Sequence, residues 1–443
     1  MNTAELIAAY DERVPRYTSY PTVPHFSPAV DGATYALWLR ALPDLTELSL
    51  YLHVPFCARL CLFCGCHTTV VNRVEPLQAY ARDLIAELDL LAETIGRRLA
   101  VAHIHWGGGT PTILPADCIQ AIDARLRHRF HVNPDAEIAV EIDPRTLDAP
   151  ALEALQRIGV TRASIGVQDF DPAVQRAIRR IQSYRTTAAT VARLRSIGIR
   201  SINLDLLYGL PRQTEETVVN TVRTTLTLAP DRVAVFGYAH VPWMKKHQAL
   251  LPEDALPDAA ARYAQNRAAA RVLRDAGYAA IGLDHFARPD DALTIAAQAG
   301  RLHRNFQGYT TDEASVLLGL GASAIGSLPQ GYVQNAPNVL RWRDGIREGR
   351  LPIARGIALT AEDRERRAVI EQIMCGFSVD LAAMPSLRED ATWPLKQMER
   401  DGLVRWCDER LIVTEIGRPF VRTIAAAFDG YFRAGATRHA VAV

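Results

Sequence analysis

The chain has 443 residues, of which 49% are hydrophobic and 22% are charged, and its formal net charge at pH 7 is +1. These values are typical of a globular protein with a large buried core and room for more than one domain. Because the charge is nearly balanced, no overall field attracts nucleic acid or an acidic membrane surface. The composition therefore argues against a nucleic-acid-binding protein.

The N-terminus is acidic and has no apolar run of the signal-peptide type, and no stretch is long and apolar enough to span a bilayer. We therefore expect a cytoplasmic protein with no membrane contact. No heptad seam is visible, so we expect a monomer. Thiols stay reduced in the cytoplasm, where clustered cysteines bind metal or do redox chemistry more often than they form disulfides.

The first 45 residues include the segment RYTSYPT (16–22), which is polar and aromatic with little helical periodicity. This pattern predicts an extended N-terminal arm over residues 1–45. After it, short β-rich runs alternate with loops that contain Gly or Pro and with longer stretches of helical period. The predicted strands are residues 48–54, 102–106, 138–142, 162–167, 201–208 and 232–238.

Six β/α units of this kind predict an α/β fold with a parallel sheet and helices outside it. Six units are too few for a closed eightfold barrel, so we expect an incomplete (β/α)6 barrel over residues 46–275. Residues 276–349 are expected to be an extension that completes the active-site side. Residues 350–443 are expected to be a smaller, mainly helical domain, with a helix capped by Thr360 and a β-wing after residue 401.

Unusual residues follow the ends of the predicted strands, where ligands of parallel β/α sheets bind. The most unusual segment is PFCARLCLFCGC (55–66), which holds four of the seven cysteines. Cys57, Cys61 and Cys64 have the spacing C-x3-C-x2-C, and Cys66 follows one residue later. A zinc site needs four ligands, and the last two cysteines are too close for the usual paired knuckles. A 4Fe-4S cluster with one iron left free fits better, with zinc as the alternative.

C-x3-C-x2-C after the first strand of a partial β/α barrel, with Phe63 before the third cysteine, resembles the radical S-adenosylmethionine (SAM) enzymes. The resemblance implies that Cys57, Cys61 and Cys64 bind a 4Fe-4S cluster whose fourth iron is chelated by the amino and carboxylate groups of SAM. The residues that it places around SAM are Gly108, Gly109, Thr110, Glu141, Gln168, Arg180 and Asp205.

A closer resemblance runs nearly from end to end. The chain is similar to oxygen-independent coproporphyrinogen III dehydrogenases in the segment RYTSYPT (16–22), here called the arm motif, and in seven further segments. These are YLHVPFC (51–57), HWGGGTPT (105–112), EIDPR (141–145), GVQDF (166–170), DLLYGLP (205–211), DHFARPDD (284–291) and HRNFQGYTT (303–311). This resemblance implies oxidative decarboxylation of two propionates of coproporphyrinogen III to vinyl groups, giving protoporphyrinogen IX for haem biosynthesis. It also implies a 5′-deoxyadenosyl radical from SAM and a reductant such as flavodoxin or ferredoxin.

The same resemblance implies a second SAM molecule, and the residues it places at the two SAM positions also include Tyr51, Phe63, Ala239 and Ile325. Cys66 is expected to lie close to the cluster without binding iron, as a candidate mechanistic residue. Because the substrate has four carboxylates and Arg binds carboxylates in bidentate fashion, the candidate substrate clamps are Arg16, Arg288 and Arg304.

The main alternative is a haem-binding chaperone of the same superfamily. Such relatives typically lack the fourth cysteine and the N-terminal arm, whereas both features are present here. A radical enzyme that methylates or opens haem is a third alternative, and it would not require the arm motif.

Overall fold

The structure is a computed structural model that describes residues 1–432. The N-terminal segment contains two helices, α1 (Thr3–Tyr10) and α2 (Gly32–Arg40). A capping box starts α1, because the Asn2 side chain accepts from the Glu5 backbone at 2.9 Å and the Glu5 carboxylate accepts from the Asn2 backbone at 2.8 Å. The RYTSYPT segment lies between the helices and is irregular, so the extended conformation expected for residues 1–45 does not describe the whole segment.

The barrel strands and their helices follow the predicted order. The elements are β1 (Glu47–Val54), β2 (Phe56–Cys57), β3 (Thr69–Val70), α3 (Val74–Ile95), β4 (Ala100–Gly108), α4 (Ala116–Arg129), β5 (His131–Ile142), α5 (Ala149–Arg157), β6 (Arg162–Gln168), α6 (Pro172–Ala177), α7 (Tyr184–Ser196), β7 (Ser201–Tyr208), α8 (Glu215–Leu226), β8 (Arg232–Gly237) and α9 (Ala259–Asp275). Strands β1 and β4 to β8 pair in parallel in chain order. The predicted incomplete (β/α)6 barrel is therefore confirmed.

Alternation along β1 separates the hydrophobic core from the barrel interior. Leu48, Leu50 and Leu52 are fully buried in the core that the sheet shares with the surrounding helices. Ser49 and Tyr51 lie between them in sequence and line a cavity inside the barrel. This follows from the period of two in a strand, which directs successive side chains to opposite faces.

Further strands extend the sheet at both edges. The elements that follow the barrel are β9 (Ala279–Ile281), β10 (His285–Ala287), α10 (Ala292–Gln298), β11 (His303–Asn305), β12 (Gly308–Thr310), β13 (Val316–Leu320), β14 (Ile325–Leu328), β15 (Gly331–Asn335), α11 (Val339–Arg347) and β16 (Ile353–Ala358). Within residues 1–432, the sheet has 12 strands in the order β16-β15-β14-β13-β1-β4-β5-β6-β7-β8-β10-β9. The sequence did not predict that β13 would pair in parallel with β1.

The C-terminal part contains α12 (Ala361–Gly376), β17 (Ser378–Asp380), α13 (Pro385–Arg400), β18 (Val404–Cys407), β19 (Arg410–Val413) and α14 (Val421–Ala426). Thr360 caps α12 as predicted, because its hydroxyl accepts from the Asp363 backbone at 3.0 Å. The predicted β-wing is present as β18 and β19. Residues 353–358 pair with β15 and so belong to the main sheet, not to the small domain. The part of the predicted domain after residue 432 lies outside the described residues.

The two ends of the chain share a second hydrophobic core. Leu6, Ile7 and Tyr10 of α1 are buried among residues of α12, α13 and α14. Farther along, the Tyr17 hydroxyl donates to Asp429 at 3.0 Å. The N-terminal segment therefore fixes the C-terminal helices in place. No helix within residues 1–432 combines the length and apolar character needed to cross a membrane.

Candidate active site

The clustered cysteines open onto one cavity at the carboxyl edge of the parallel strands. This cavity, here called the cysteine cavity, has a volume of about 180 Å³, and its lining includes Cys57, Cys61, Cys64 and Cys66. The loop begins where β1 ends at Val54. Two contacts hold it, the short parallel pair of β2 with β3 and a backbone bond between residues 62 and 178 of 3.0 Å. The loop therefore presents its thiols to the cavity from a fixed backbone.

Hydroxyl and guanidinium groups surround two of the thiols. Thr68 Oγ1 donates to Cys57 Sγ at 3.3 Å, and Thr110 Oγ1 lies 3.4 Å from the same sulfur. Thr110, expected beside SAM, thus contacts a cysteine directly. Burial raises the pKa of the Cys57 thiol, and the two hydroxyl groups partly offset that effect by favouring the thiolate, which is the form that binds iron.

Two arginines flank the second thiol. Arg145 Nη2 lies 3.4 Å and Arg180 Nη1 3.5 Å from Cys61 Sγ. Asp143 pairs with both arginines and keeps them in place. Sequence reasoning assigned Arg180 to SAM and did not single out Arg145, although both Arg145 and Asp143 lie within the EIDPR motif.

Cys66 contacts one of the predicted cluster ligands. A hydrogen bond between the two thiols lowers the pKa of Cys64 to about 7. The same bond, with the nearby Cys64 charge, raises the pKa of Cys66 well above its usual value. The bond therefore favours ionisation of one thiol of the pair and opposes ionisation of both. The predicted role of Cys66, close to iron without binding it, stays a prediction.

Glu141 connects the loop with three consecutive glycines (107–109) to the barrel interior. Its Oε2 accepts from the Gly108 backbone at 3.1 Å, and its Oε1 lies 3.2 Å from His105 Nε2. Burial alone would raise the pKa of Glu141, but the bonds from His105 and Gly108 lower it below its usual value. Gly108 has φ +114°, and a Cβ there would lie 2.7 Å from the His53 ring. The loop thus needs glycine at this position, and Glu141 is an ionised acceptor beside it.

The other polar residues expected beside SAM also line the cysteine cavity. Asp205 accepts from the Ser164 hydroxyl and from the Asn203 amide, each at 2.7 Å, and burial raises its pKa. Arg180 donates to the Gly166 carbonyl at 2.7 Å. Gln168 ends β6 with φ +70°, a conformation uncommon for a residue with a side chain. Asp205 is therefore held by two donors that sequence reasoning did not name.

A second cavity, here called the barrel cavity, fills the interior of the sheet. Its volume is about 280 Å³, and Glu141 and Asp205 line both this cavity and the cysteine cavity. Tyr51 lines the barrel cavity, and its hydroxyl lies 2.9 Å from His53 Nδ1. The two cavities are adjacent, so one bound molecule can reach from the cysteines into the barrel.

The remaining residues expected at the SAM positions do not share one cavity. Phe63 lines the cysteine cavity. Ala239 lines a third, separate cavity, and Ile325 packs beside Tyr332 in a separate hydrophobic cluster. The structure thus brings Phe63 to the cysteines and leaves Ala239 and Ile325 elsewhere.

Two of the three candidate clamps come together, with two arginines that sequence reasoning missed. A third cavity of about 40 Å³, here called the arginine pocket, is lined by Arg16, Arg262, Arg304 and Arg422. Arg288 is not among them. It follows β10, which runs antiparallel to β8, so it emerges at the opposite edge of the sheet and pairs with Asp290 on the surface. Arg288 therefore has no access to the cysteine cavity, and its assignment as a clamp is wrong.

The cysteine loop fits an iron–sulfur cluster better than the zinc alternative. Donors at the sulfurs, such as Thr68 at Cys57 and Arg145 at Cys61, are typical of such cluster sites.

Comparison with known proteins places the chain in a family. A family model described as the Radical SAM superfamily matches residues 51–225. A protein from Bradyrhizobium diazoefficiens named oxygen-independent coproporphyrinogen III oxidase is 54% identical, over 99% of this chain and 100% of that protein. A protein of the same name from Paracoccus denitrificans is 45% identical, over 99% of this chain and 98% of its own length.

The solved structure of coproporphyrinogen III oxidase from Escherichia coli, described as a radical SAM enzyme, is similar with a TM-score of 0.89. It is 37% identical, and the match covers 95% of this chain and 100% of that one. The length and identity of these matches, together with the cysteine loop at the carboxyl edge of a partial barrel, show that the chain belongs to the oxygen-independent coproporphyrinogen III oxidase family of radical SAM enzymes.

Proposed function

We propose that this enzyme converts coproporphyrinogen III to protoporphyrinogen IX without oxygen, by oxidative decarboxylation of two propionate side chains to vinyl groups. The observation that carries this proposal is that Cys57, Cys61 and Cys64 open onto the same cavity as Glu141 and Asp205, in a chain that matches this family over its whole length. Each propionate loses one hydrogen atom, one carbon dioxide and one electron.

Cys57, Cys61 and Cys64 would hold a 4Fe-4S cluster, and SAM would occupy the rest of the cysteine cavity. The chemistry that the bound cluster and SAM supply is one-electron cleavage of SAM to a 5′-deoxyadenosyl radical, which abstracts hydrogen from the β-carbon of the propionate. The chain itself must bind, orient and exclude water.

The polar groups of the cysteine cavity are arranged before a ligand binds. Asp205 is fixed by Ser164 and Asn203, and Glu141 by His105 and Gly108. Both carboxylates keep free lone pairs that suit ribose hydroxyls. Because these acceptors are already oriented, SAM loses little free energy to side-chain ordering when it binds.

The proposal also includes a second SAM molecule, a reductant and an oligomeric state. A second SAM would lie beside the first, where the barrel cavity continues from the cysteine cavity. The reductant would be a one-electron protein donor such as flavodoxin or ferredoxin, and the enzyme would act as a monomer. The cytoplasmic location stays a prediction.

The direct test is an anaerobic assay of the reconstituted protein with coproporphyrinogen III, SAM and a reductant. Mass spectrometry would follow 5′-deoxyadenosine and the monovinyl and divinyl products. Formation of all three is the expected result. Formation of 5′-deoxyadenosine without vinyl products would reject coproporphyrinogen III as the substrate. Stoichiometric haemin binding without either product would favour the haem-binding chaperone.

A further inference from the structure

The arginine pocket is assembled from four separate parts of the chain. Arg16 belongs to the N-terminal segment, Arg262 to α9, Arg304 to β11 and Arg422 to α14. Arg16 donates to the Gly237 carbonyl at 3.2 Å, which places it at the carboxyl end of β8. The pocket therefore lies at the same edge of the sheet as the cysteine loop.

Positive charge in the pocket exceeds negative charge. In the part of the chain that the structure describes, the lining contains four guanidinium groups and one carboxylate, Asp284. That carboxylate is already engaged, because His285 Nδ1 lies 2.7 Å from its Oδ1. Arg422 donates to the carbonyls of Val14 and Pro15. Buried charges of one sign are costly without a counterion, so this lining suits an anion.

Arg304 shows most directly that the pocket lacks hydrogen-bond acceptors for its guanidinium groups. Its side chain is only 5% exposed, and its Nε and Nη1 atoms are buried without a hydrogen-bond partner among residues 1–432. Its Nη1 atom lies 4.0 Å from Asp284 Oδ1, which is beyond hydrogen-bond distance. Its guanidinium also lies over the Tyr309 ring at 4.4 Å. A buried charged donor is rarely left unpaired, which indicates that a ligand completes the site.

The crowded charges affect one another. Burial, followed by the neighbouring Arg16 and Arg304, lowers the pKa of Arg422 to about 9. Burial also lowers the pKa of Arg16, with further lowering from Arg304 and Arg262. Arg422 therefore stays cationic at neutral pH. An anion in the pocket would relieve this mutual repulsion.

Size and position identify which anion fits. A volume of about 40 Å³ accommodates a carboxylate but not a pyrrole ring. The pocket and the cysteine cavity share no lining residue, whereas the barrel cavity between them shares Phe236 with the pocket and Asp205 with the cysteine cavity. A large ligand that reaches both ends would thus place one carboxylate among the arginines while another part lies near the cysteines.

We propose that the arginine pocket binds a carboxylate of the substrate that is not the one being removed, and that Arg262 and Arg422 belong to this site with Arg16 and Arg304. This inference rests on the proposed function, since it takes the substrate to be a tetracarboxylate. The pocket anchors one side chain of the macrocycle, and the anchor holds a different propionate at the cysteine cavity.

The site can be tested by comparing how the wild type and its variants bind two ligands, an experiment that needs no turnover. The full-length reconstituted enzyme, with SAM, is titrated anaerobically by fluorescence with coproporphyrin III as the free acid and as the tetramethyl ester. Arg304→Gln and Arg262→Gln are compared with wild type and with Arg288→Gln, which removes a surface arginine at the opposite edge. Affinity for the acid should fall about 10- to 100-fold in the two pocket variants, the range for hydrogen bonds between charged groups, and stay unchanged in the control. Affinity for the ester should change little in any variant.

Equal affinity of wild type and both pocket variants for the acid would overturn the proposal. Iron content and SAM cleavage without substrate report folding, because neither uses the pocket. If the glutamine variants do not fold, Arg304→Lys decides, since it keeps the charge but loses the fork: weaker binding of the acid supports the site, and unchanged binding rejects it. Wild-type enzyme that binds the acid but forms no vinyl product would reject the proposed function and leave the anion site in place.

Discussion

Arg145 Nη2 lies 3.4 Å from Cys61 Sγ, and the same side chain is paired with Asp143. The arginine thus brings a positive charge to within hydrogen-bonding distance of a predicted cluster ligand. Asp143 orients this charge and also pairs with Arg180 on the other side of the sulfur. A cluster bound here would gain negative charge when reduced, and the nearby guanidinium groups would stabilise that reduced state.

Arg145→Gln is therefore expected to lower the reduction potential of the reconstituted cluster, on the order of tens of millivolts. The substitution removes the charge and leaves a shorter side chain that ends in a neutral amide. A redox titration followed by electron paramagnetic resonance measures the shift. Arg288→Gln is the control, because Arg288 lies on the surface at the opposite edge of the sheet. An unchanged potential in Arg145→Gln would contradict the electrostatic role.

The three predicted ligands should differ from the fourth cysteine in iron content. Cys57→Ala, Cys61→Ala and Cys64→Ala are each expected to lose iron and acid-labile sulfide after anaerobic reconstitution, because a cubane loses stability without one of its thiolates. Cys66→Ala is expected to retain both. Cys118→Ala, on α4, controls for the loss of any thiol. Iron loss in Cys66→Ala would make that cysteine a ligand.

Asp205→Asn should weaken SAM binding by about 10-fold, because the carboxylate is fixed by two donors and faces the cysteine cavity. Equilibrium binding to the reconstituted protein, with iron content measured in parallel, separates this effect from cluster loss. Asp290→Asn is the matched control, since Asp290 lies at the opposite edge of the sheet. Normal affinity in Asp205→Asn would remove Asp205 from the SAM site.

A buried ion pair fixes the amino end of β8. Arg232 Nε lies 2.9 Å from Asp291 Oδ1, and both side chains are only 7% exposed. Asp291→Ala is expected to lower the free energy of unfolding by about 3–5 kcal/mol, because it leaves a buried guanidinium unpaired. Glu313→Ala breaks an exposed pair with Arg301 and should cost less than about 1 kcal/mol. Urea unfolding of the two variants measures the difference, and equal costs would argue against the burial effect.

Glu87 makes stability depend on pH. Burial raises its pKa to about 7, although the Gly321 backbone and the Asn335 side chain donate to it. The folded state therefore binds a proton that the unfolded state has released above about pH 4.5. Stability contributed by this group is complete below that pH and falls by about 3 kcal/mol as pH rises through 7.

Glu87→Gln should abolish this decline, because the amide does not titrate. Urea unfolding of wild type and variant between pH 5 and 8 checks the slope. Glu93→Gln, an exposed position paired with Arg129, should keep the wild-type slope. A decline of the same size in Glu87→Gln would assign the pH dependence to another group.

The barrel was predictable from local patterns, and its edges were not. Strands β1 and β4 to β8 are apolar runs separated by helical stretches, a regular pattern that fixes both element type and parallel pairing. Strand β13 is the short apolar run VLLGL, which periodicity alone does not distinguish from part of a buried helix. Its pairing with β1 is a contact between residues more than 260 positions apart, and no local signal reports it.

The cysteine loop was identifiable because its residue types and spacing carry the chemistry. Of the four pocket arginines, Arg16 and Arg304 were predicted. Arg262 and Arg422 were not, because 47 of the 50 basic residues are arginines and α9 alone contains four of them. Which of these is buried depends on the packing of distant segments. Arg288 illustrates the error that follows: it lies in a matching motif, yet β10 reverses direction and carries it to the wrong edge.

The arginine pocket takes its first residue from position 16 and its last from position 422. During synthesis, the barrel can fold while the ribosome still holds the C-terminal helices, but the pocket then lacks Arg422 and the core that holds the N-terminal segment is incomplete. The pocket is therefore complete only after residue 422 has been synthesised. A nascent chain that stops before this position would lack one of the four guanidinium groups that we propose to hold a substrate carboxylate.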